Sequence, residues 1–266
     1  MIKRIIHLAD LHIRTIQLHD LYRRQFEIFL KEMDTQLEGF ESNEVRFVIA
    51  GDINHQKITI SNEQLELTSW FLRELSKRGI IIILPGNHDF LENNIDRLDT
   101  ITPIVDLLKN PNIVYLKDKG VYPDEQVRWV VYSLYQDNER PEFKKDDDGF
   151  YVGLFHSPIQ GMSTDLGFSF DDGYDKLNFV DLDLLLAGDI HLRQSFKLPN
   201  GGEGKMVGSF IQQNWGEGIQ HHGFGMFDME TKEYTFYDLP NEQPFLHFRI
   251  NDIEDIENET EHLVNP

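Results

Sequence analysis

The chain carries five short, almost continuously apolar runs, at residues 5–9, 45–50, 80–84, 151–155 and 183–187. Runs of this length, bounded by turn residues, are typical of strands that are buried on both faces. Helical patterns lie between several of them, and strands that alternate with helices indicate a layered α/β fold. We therefore predict an α/β protein whose core contains these five strands.

Three helices are predicted, over residues 18–37, 62–78 and 95–109. In the first, apolar side chains recur every three or four residues, which is the pattern of a helix with one buried face. The second begins with a capping box of Ser61 and Gln64, and Gly79 follows its end. Its apolar positions spread beyond one stripe, so it is either deeply buried or it meets both the sheet and a second subunit. Pro111 stops the third helix.

Two further stretches, residues 112–135 and 205–250, alternate apolar and polar positions and contain turn residues. This pattern is typical of antiparallel strands and hairpins. The tail at residues 251–263 is rich in aspartate and glutamate, and it predicts an acidic surface helix.

Composition narrows the class of protein. The 266 residues suit one large domain, or one domain with a small appendage. The absence of cysteine excludes disulfides and cysteine-ligated zinc, so the eleven histidines are the natural metal ligands. No apolar run approaches the roughly 20 residues of a membrane span, and the N-terminus does not have the form of a signal peptide. We expect a soluble cytoplasmic protein, and the net charge of −21 argues against DNA binding by this chain alone.

Polar side chains of ligand type follow each of the five apolar runs. They are Asp10 and His12, Asp52 and His55, Asn87 with His88 and Asp89, His156, and Asp189 with His191. In α/β sheets, sites form at the carboxyl ends of the strands. Each motif alone is weak, since a lone Asp-x-His is more often a cap or a turn. The joint pattern predicts one site at this edge of the sheet.

The spacing within the motifs restricts how they can bind. Residues 10–12 and 189–191 both read Asp-x-His, and in an extended chain the two side chains point the same way. Each pair could bind one metal ion or reach toward two. Asn87 and His88 are adjacent and should point apart, so that one can bind a metal while the other faces a substrate. Glycines at positions 51, 86 and 188 allow the backbone to turn sharply.

Together the motifs resemble those of the calcineurin-like metallophosphoesterases, and most of all the SbcD-type DNA double-strand-break repair nucleases, partners of the ATPase SbcC. Three further features resemble that branch: the opening HLADLHI, His55 placed three residues after Asp52, and GSFIQQNWGEG at 208–218 followed by GFGMFDM. The resemblance covers roughly residues 1–250. It implies a layered fold in which central mixed β-sheets, forming a β-sandwich, are flanked by helices.

The resemblance also implies roles for the motif residues. Two Mn²⁺ ions, with Mg²⁺ as an alternative, would be held by two overlapping ligand sets that share Asp52. The first set is Asp10, His12, Asp52 and His191, and the second is Asp52, Asn87, His156 and Asp189. A hydroxide between the metals would attack the phosphodiester in line. His88 would serve as proton donor or transition-state stabiliser, His55 would contact the scissile phosphate region, and Asp89 would orient His88.

One position departs from the family pattern. The fifth motif of the family is Gly-His-x-His, whereas Asp189 stands here in place of the first histidine. Because carboxylates suit Mn²⁺ and Mg²⁺, we expect the second metal site to be retained with altered affinity and less preference for softer metals. The alternative is a weakened second site and low activity.

We expect a metal-dependent DNA nuclease, exo- and endonucleolytic, acting as the catalytic subunit of an SbcC–SbcD-like repair and recombination complex. The resemblance implies a homodimer through the helices near 62–78 and 95–109, and an ATPase partner that supplies the grip on DNA. Residues 1–243 would form the nuclease domain, and 244–266 the start of a shortened capping domain. A phosphoesterase acting on a small phosphodiester, a nucleotide or a phosphoprotein is the alternative that the charge favours. Asp189 also leaves open a non-catalytic scaffold.

Overall fold

The computed structural model describes residues 1–146 and 148–246. Within these residues the α-helices are α1 (His19–Gln36), α2 (Asn62–Leu75) and α3 (Thr102–Leu108), and short 3₁₀ turns occupy Ser42–Glu44, Leu134–Gln136 and Lys176–Phe179. The strands are β1 (Arg4–Leu8), β2 (Val45–Ala50), β3 (Ile80–Leu84), β4 (Ile113–Tyr115), β5 (Gly120–Asp124), β6 (Val127–Val131), β7 (Phe150–His156), β8 (Leu184–Gly188), β9 (Gln194–Lys197), β10 (Glu203–Met206), β11 (Gly223–Asp228) and β12 (Tyr234–Asp238).

The strands form two mixed sheets of six strands each. The first sheet has the order β12-β11-β1-β2-β3-β4; β1 to β4 are parallel, and β11 and β12 extend the sheet as an antiparallel hairpin. The second has the order β5-β6-β7-β8-β10-β9, with β6, β7, β8 and β10 parallel and antiparallel strands at both edges. The predicted layered α/β fold with central mixed sheets is therefore confirmed.

Three apolar layers hold the fold together. Between the sheets, side chains such as Val48 and Leu154 meet around the buried Trp129. On the outer face of the first sheet, α1, α2 and α3 bury an aromatic cluster in which the rings of Phe26 and Phe71 stack with centroids 3.9 Å apart. A third cluster lies against the outer face of the second sheet. The two sheets are thus buried on both faces where they carry the five predicted strands.

All five apolar runs are strands at the predicted positions, within one or two residues at their ends. They are divided between the sheets, because β1, β2 and β3 lie in the first and β7 and β8 in the second. The hairpins β5–β6 and β11–β12 confirm the antiparallel prediction in part. That prediction was wrong for β4, which pairs in parallel with β3. It holds on one side only for β6 and β10, which pair antiparallel with β5 and β9 but parallel with β7 and β8. The predicted strand at the end of 205–250 and the acidic tail helix lie outside the described residues.

The helix predictions need two corrections. The third helix begins at Thr102 and not near residue 95, because the Asp99 carboxylate accepts the N–H groups of Ile101 and Thr102 and Pro103 suits a first helical turn. At the start of α2, Ser61 accepts the N–H of Gln64, as expected. The Gln64 side chain, however, does not complete a capping box. It donates instead to the carbonyl of Ile13 and to Oδ1 of Asn54, which ties α2 to the loops that carry the site.

None of the helices within residues 1–146 and 148–246 has the length and apolar character needed to cross a bilayer.

Candidate metal centre

The carboxyl ends of strands from both sheets meet at one edge of the sandwich. Asp10 follows β1 and Asp52 follows β2 in the first sheet, while His156 ends β7 and Asp189 follows β8 in the second. The Nδ1 of His156 lies 2.7 Å from the carbonyl oxygen of Ala50, which joins the sheets directly at this point. The structure therefore brings the predicted motifs into a single cluster of side chains.

The first ligand group is formed by Asp10, His12 and His191, with one oxygen of Asp52. The Nε2 atoms of His12 and His191 are 3.1 Å apart, and each lies 4.0 Å from Oδ1 of Asp10. Oδ2 of Asp52 is 3.4 Å from Nε2 of His12. The ligand atoms of Asp10, His12 and His191 all lie within 4.8 Å of one another, and the structure thus brings together the four residues predicted for the first metal.

The second ligand group surrounds Nε2 of His156. This atom lies 3.3 Å from Oδ1 of Asn87, 3.4 Å from Oδ1 of Asp52 and 3.8 Å from Oδ1 of Asp189. Asp52 therefore presents Oδ2 to the first group and Oδ1 to the second. A carboxylate placed in this way could bridge two neighbouring cations, and the sharing of Asp52 between two metal ions stays a prediction.

The chemistry of these donors fits divalent metal ions. Three carboxylates, an amide oxygen and three imidazoles are packed into a largely buried cluster, and buried charges of one sign are costly unless they are paired or bind metals. Burial raises the pKa of Asp10 to about 7 and also raises the pKa of Asp189. Divalent cations between these oxygens would stabilise the ionised carboxylates. Carboxylate and amide oxygens suit Mn²⁺ and Mg²⁺, whereas imidazole nitrogens suit transition metals such as Zn²⁺ and Fe²⁺, so this mixed set of donors fits divalent metal ions as a class.

The imidazoles of the two groups are held in place through their outer nitrogens. Nδ1 of His156 donates to the Ala50 carbonyl, which leaves the Nε2 lone pair directed at the second group. Nδ1 of His191 is 2.7 Å from Oε1 of Glu217, and the same argument directs its Nε2 at the first group. Burial acts to lower the pKa of His191, but the hydrogen bond that its Nδ1 donates to Glu217 and the charge of Asp10 outweigh burial and raise this pKa to about 9.

Glu217 was given no role from the sequence, although it lies in the 208–218 stretch that carries part of the resemblance. Its Oε2 accepts the backbone N–H of Gln213 at 2.9 Å and the Ser209 hydroxyl at 3.1 Å, and its Oε1 accepts Nδ2 of Asn214 at 2.7 Å. The carboxylate is almost fully buried. This network fixes Glu217, and Glu217 in turn fixes the ring of His191.

Asp89 acts on the backbone around the site. Its Oδ2 accepts the N–H groups of Asp52 and Gly86, both at 2.9 Å, and its Oδ1 accepts the N–H of Asn54 at 3.0 Å. The ring of His88 is held differently, since its Nδ1 lies 2.8 Å from the carbonyl of His55. Asp89 was expected to orient His88, but the carbonyl of His55 does so instead. Asp89 holds together the two loops that follow β2 and β3.

The backbone is strained where the ligands leave the strands. Asp10, His12, Asp52 and Asp189 all have positive φ, at 52°, 48°, 56° and 84°. Such values are uncommon outside glycine and cluster at functional sites. The sequence argument assumed that the two Asp-x-His motifs are extended, and these φ values show that they are not. Asp10 and His12 still lie in one group, whereas Asp189 and His191 are divided between the two groups.

Two of the glycines are required for different reasons. Gly51 has φ of 90°, and a Cβ there would lie 2.2 Å from Nδ1 of His156. A Cβ on Gly86 would lie 2.1 Å from Oδ1 of Asp52. Gly51 therefore allows both the sharp turn and the close approach of His156, whereas Gly86 is required for the close approach of Asp52 alone.

Two further histidines lie beside the first ligand group. The ring of His88 meets that of His12 edge to face at 4.8 Å between centroids, and it stacks on the ring of His55 at 5.3 Å. Nδ1 of His55 is 3.4 Å from Nδ1 of His12. Burial and the neighbouring Arg14 guanidinium lower the pKa of His55 to about 4, so this ring is neutral near pH 7. Arg14 was not singled out from the sequence.

The comparison with known proteins agrees with this geometry. The calcineurin-like phosphoesterase family matches residues 3–193, well over half of the chain. The chain therefore belongs to the calcineurin-like phosphoesterases, hydrolases of phosphoesters that use divalent metals.

One curated relative and one solved structure illustrate what the chain is similar to. The uncharacterized protein R555 of Acanthamoeba polyphaga mimivirus is 31% identical over 272 residues, which cover 96% of this chain and 19% of the relative. The chain thus spans about a fifth of that protein's length. The crystal structure of the Pseudomonas putida nuclease MPE aligns with 86% of this chain and 85% of its own, at 12% identity and a TM-score of 0.35.

Proposed function

We propose that this chain is the catalytic domain of a divalent-metal-dependent DNA nuclease of the SbcD type, which hydrolyses phosphodiesters in repair and recombination. The observation that carries the proposal is the pair of imidazoles, His55 and His88, placed beside the first ligand group but outside both ligand sets. A phosphate bound at the metal centre would meet these two rings at its open side. Such groups serve to bind substrate oxygens and move protons.

The two metal ions, when bound, supply positive charge that polarises the phosphate and activates water. The residues of this chain then have separate tasks. Asp52 holds the two ligand groups together, and Ala50 and Glu217 fix the rings of His156 and His191. Because Nδ1 of His88 donates to the His55 carbonyl, its Nε2 is the nitrogen available to the substrate. In its protonated form, Nε2–H donates to the departing oxygen.

The same proposal includes a homodimer and an SbcC-like ATPase partner. Apolar side chains are exposed along α3 and the loop before it, where Leu107 is 74% and Leu98 61% accessible. Exposed leucines on the segment expected to pair support a dimer contact there. An acidic chain needs another source of affinity for DNA, and an ATPase partner would provide it.

The decisive experiment compares three substrates in Mn²⁺: a labelled DNA oligonucleotide, bis(p-nitrophenyl) phosphate and p-nitrophenyl phosphate. We expect cleavage of the oligonucleotide and of the diester, with little turnover of the monoester. A His88→Asn variant should lose DNA cleavage while keeping its bound metal. Turnover of the chromogenic diester alone, with intact DNA, would instead favour the second candidate.

That second candidate is a phosphoesterase acting on a small phosphodiester, a nucleotide or a phosphoprotein. The net charge of −21 favours it, because an acidic surface repels a long polyanion more than a small substrate. A non-catalytic scaffold would show one bound metal or none and no turnover of any of the three substrates.

A further inference from the structure

We propose that Arg14 forms a subsite for a second, uncleaved phosphate of the substrate, beside the metal centre. The inference rests on the proposed phosphodiesterase function and narrows its substrate. It predicts that the site prefers a phosphodiester that carries a neighbouring phosphate, as in a nucleotide chain, over an isolated phosphodiester.

The position of Arg14 places it one imidazole away from the ligand cluster. His55 presents Nδ1 to His12 at 3.4 Å and, on its other side, Nε2 to Nη1 of Arg14, also at 3.4 Å. The ring of His55 therefore stands between the guanidinium and the first ligand group. Arg14 would therefore bind a second phosphate of the substrate, adjacent to the phosphate that is cleaved at the metal centre.

The guanidinium is held, but its charge is not neutralised by the protein. Nη2 donates to the backbone carbonyl of Gln213 at 2.9 Å, which sets the orientation of the group. Among the residues that the structure describes, no carboxylate pairs with Arg14, in contrast to Arg46 with Asp124 and Arg193 with Asp238. In a chain of net charge −21, an arginine that avoids every described carboxylate leaves local positive charge next to the site.

Donor capacity also remains on this segment. A guanidinium has five N–H groups, and within the described residues Nε of Arg14 is buried without a hydrogen-bond partner. The hydroxyl of the next residue, Thr15, is likewise buried and without a described partner. Unsatisfied buried donors are costly, and these two leave the segment with hydrogen-bonding capacity that the described residues do not use.

A phosphate is the ligand class that this geometry favours. The planar fork of a guanidinium matches phosphate oxygens in a bidentate contact, and hydrogen bonds between charged groups are the stronger ones. Nε2 of the neighbouring His55 lies 3.4 Å from Nη1 of Arg14, so a phosphate oxygen bound by the guanidinium would also lie beside this ring. A substrate with phosphates at successive positions would engage Arg14 and the metal centre together.

The test uses thymidine dinucleotides that differ by one phosphate: the unphosphorylated dinucleotide, its 5′-phosphorylated form and its 3′-phosphorylated form, each with Mn²⁺. We expect the wild type to cleave one phosphorylated form with kcat/KM about 10- to 100-fold above that of the unphosphorylated form, as a charged hydrogen-bonded contact would provide. Arg14→Gln should remove this preference, so that the ratio of kcat/KM between the phosphorylated and unphosphorylated forms falls to about one. Arg14→Lys should restore part of it.

The control is Arg73→Gln. Arg73 is exposed in the last turn of α2, near the edge where β3 begins and away from the site, so its loss should leave the preference unchanged. Thermal unfolding of both variants confirms that they fold. A preference that survives Arg14→Gln, or an equal loss on all three dinucleotides, would overturn the proposal.

A binding measurement separates this proposal from the proposed function. Calorimetric titration of the same dinucleotides in Ca²⁺ should show tighter binding of one phosphorylated form by the wild type, and no such difference with Arg14→Gln. If no dinucleotide is cleaved and this difference in binding is still found, the nuclease proposal fails and the phosphate subsite stands. Equal binding of all forms by the wild type would reject the subsite.

Discussion

The two ligand groups share Asp52 but are built differently. The first is held from outside by a side chain, since Glu217 fixes His191, and it borders on His55, His88 and Arg14. The second is held by the backbone, through the Ala50 carbonyl, and it contains Asp189 where the family pattern has histidine. On the proposed function, the residues that would contact the substrate lie beside the first group, whereas the second group contains the one donor that departs from the family pattern.

The largest effect is expected at the residue that the two groups share. Asp52→Asn removes the charge that would bridge both metals, and loss of several kcal/mol of electrostatic stabilisation corresponds to a fall in kcat/KM on the order of a thousandfold. Metal content measured by mass spectrometry should fall at both groups. Asp20→Asn, at an exposed carboxylate in the first turn of α1, serves as the matched control. Two fully retained metals in Asp52→Asn would contradict the bridging geometry.

A smaller effect, confined to the first group, is expected from Glu217. Glu217→Ala frees the ring of His191 and should weaken metal binding at that group by about 10- to 100-fold, as is found for residues that orient metal ligands. Glu217→Gln keeps an acceptor for Nδ1 of His191 and should therefore weaken metal binding at the first group less than Glu217→Ala does. Calorimetric titration with Mn²⁺ resolves the two groups, and Glu203→Gln, at a carboxylate that pairs with Lys197 away from the site, is the control. Equal weakening of both groups would show that Glu217 supports the fold and not the first group alone.

The second group can be tested by restoring the family residue. Asp189→His replaces a carboxylate with an imidazole, so we expect Mn²⁺ affinity there to fall by less than about tenfold and the preference to move toward Zn²⁺. The affinity of the first group should not change. Competition titrations of Zn²⁺ against Mn²⁺ measure this shift. An unchanged metal preference would mean that Asp189 does not contribute a ligand to the second group.

The smallest effect is expected at a histidine outside both groups. His7 is buried on β1, where its Nδ1 lies 2.9 Å from the Tyr234 hydroxyl and no carboxylate within residues 1–146 and 148–246 pairs with the ring. Burial lowers its pKa from 6.5 to about 3, so the unfolded chain takes up a proton before the folded one does. The contribution of His7 to the free energy of unfolding therefore decreases as the pH falls from about 6.5 toward 3.

The slope of that loss should approach about 1.4 kcal/mol per pH unit for this one group. Urea unfolding of the wild type and of His7→Gln, compared between pH 6 and pH 4 without metal, isolates the contribution as the difference in slope. Identical slopes would show that His7 is not kept neutral by the fold. The site histidines differ from His7 because carboxylates surround them.

Much of the fold followed from the apolar pattern. The five core strands were predicted because strands buried on both faces are apolar at nearly every position, and β2 and β3 match their predicted ranges without change. The start of α3 was not predicted, since it depends on the Asp99 carboxylate reaching backbone N–H groups. The division of the strands between two sheets was not predicted from the pattern either, because a strand buried on both faces has the same apolar sequence pattern in either sheet.

The site residues were likewise predicted in part, where their position at a strand end or the family resemblance was sufficient. The residue types at the strand ends and their grouping around Asp52 were expected, the latter through the family resemblance. The contacts of Glu217 and Arg14 were not expected, since neither residue follows a buried strand. Asp89 was expected to orient His88, and it holds the backbone of Asp52 and Asn54 instead.

The sequence by itself determined which side chains could serve as ligands and where the chain would leave the sheets. Both follow from short stretches of sequence, because the apolar run of a buried strand and the turn residues after it are neighbours along the chain. Tertiary structure decided how those ligands are shared out. His12 and His191 stand 179 positions apart in the chain, yet their Nε2 atoms are 3.1 Å apart, and Asp189 and His191 separate into different groups. Such distances depend on how two sheets pack and on left-handed turns at single residues, which no local pattern of apolar and polar positions encodes.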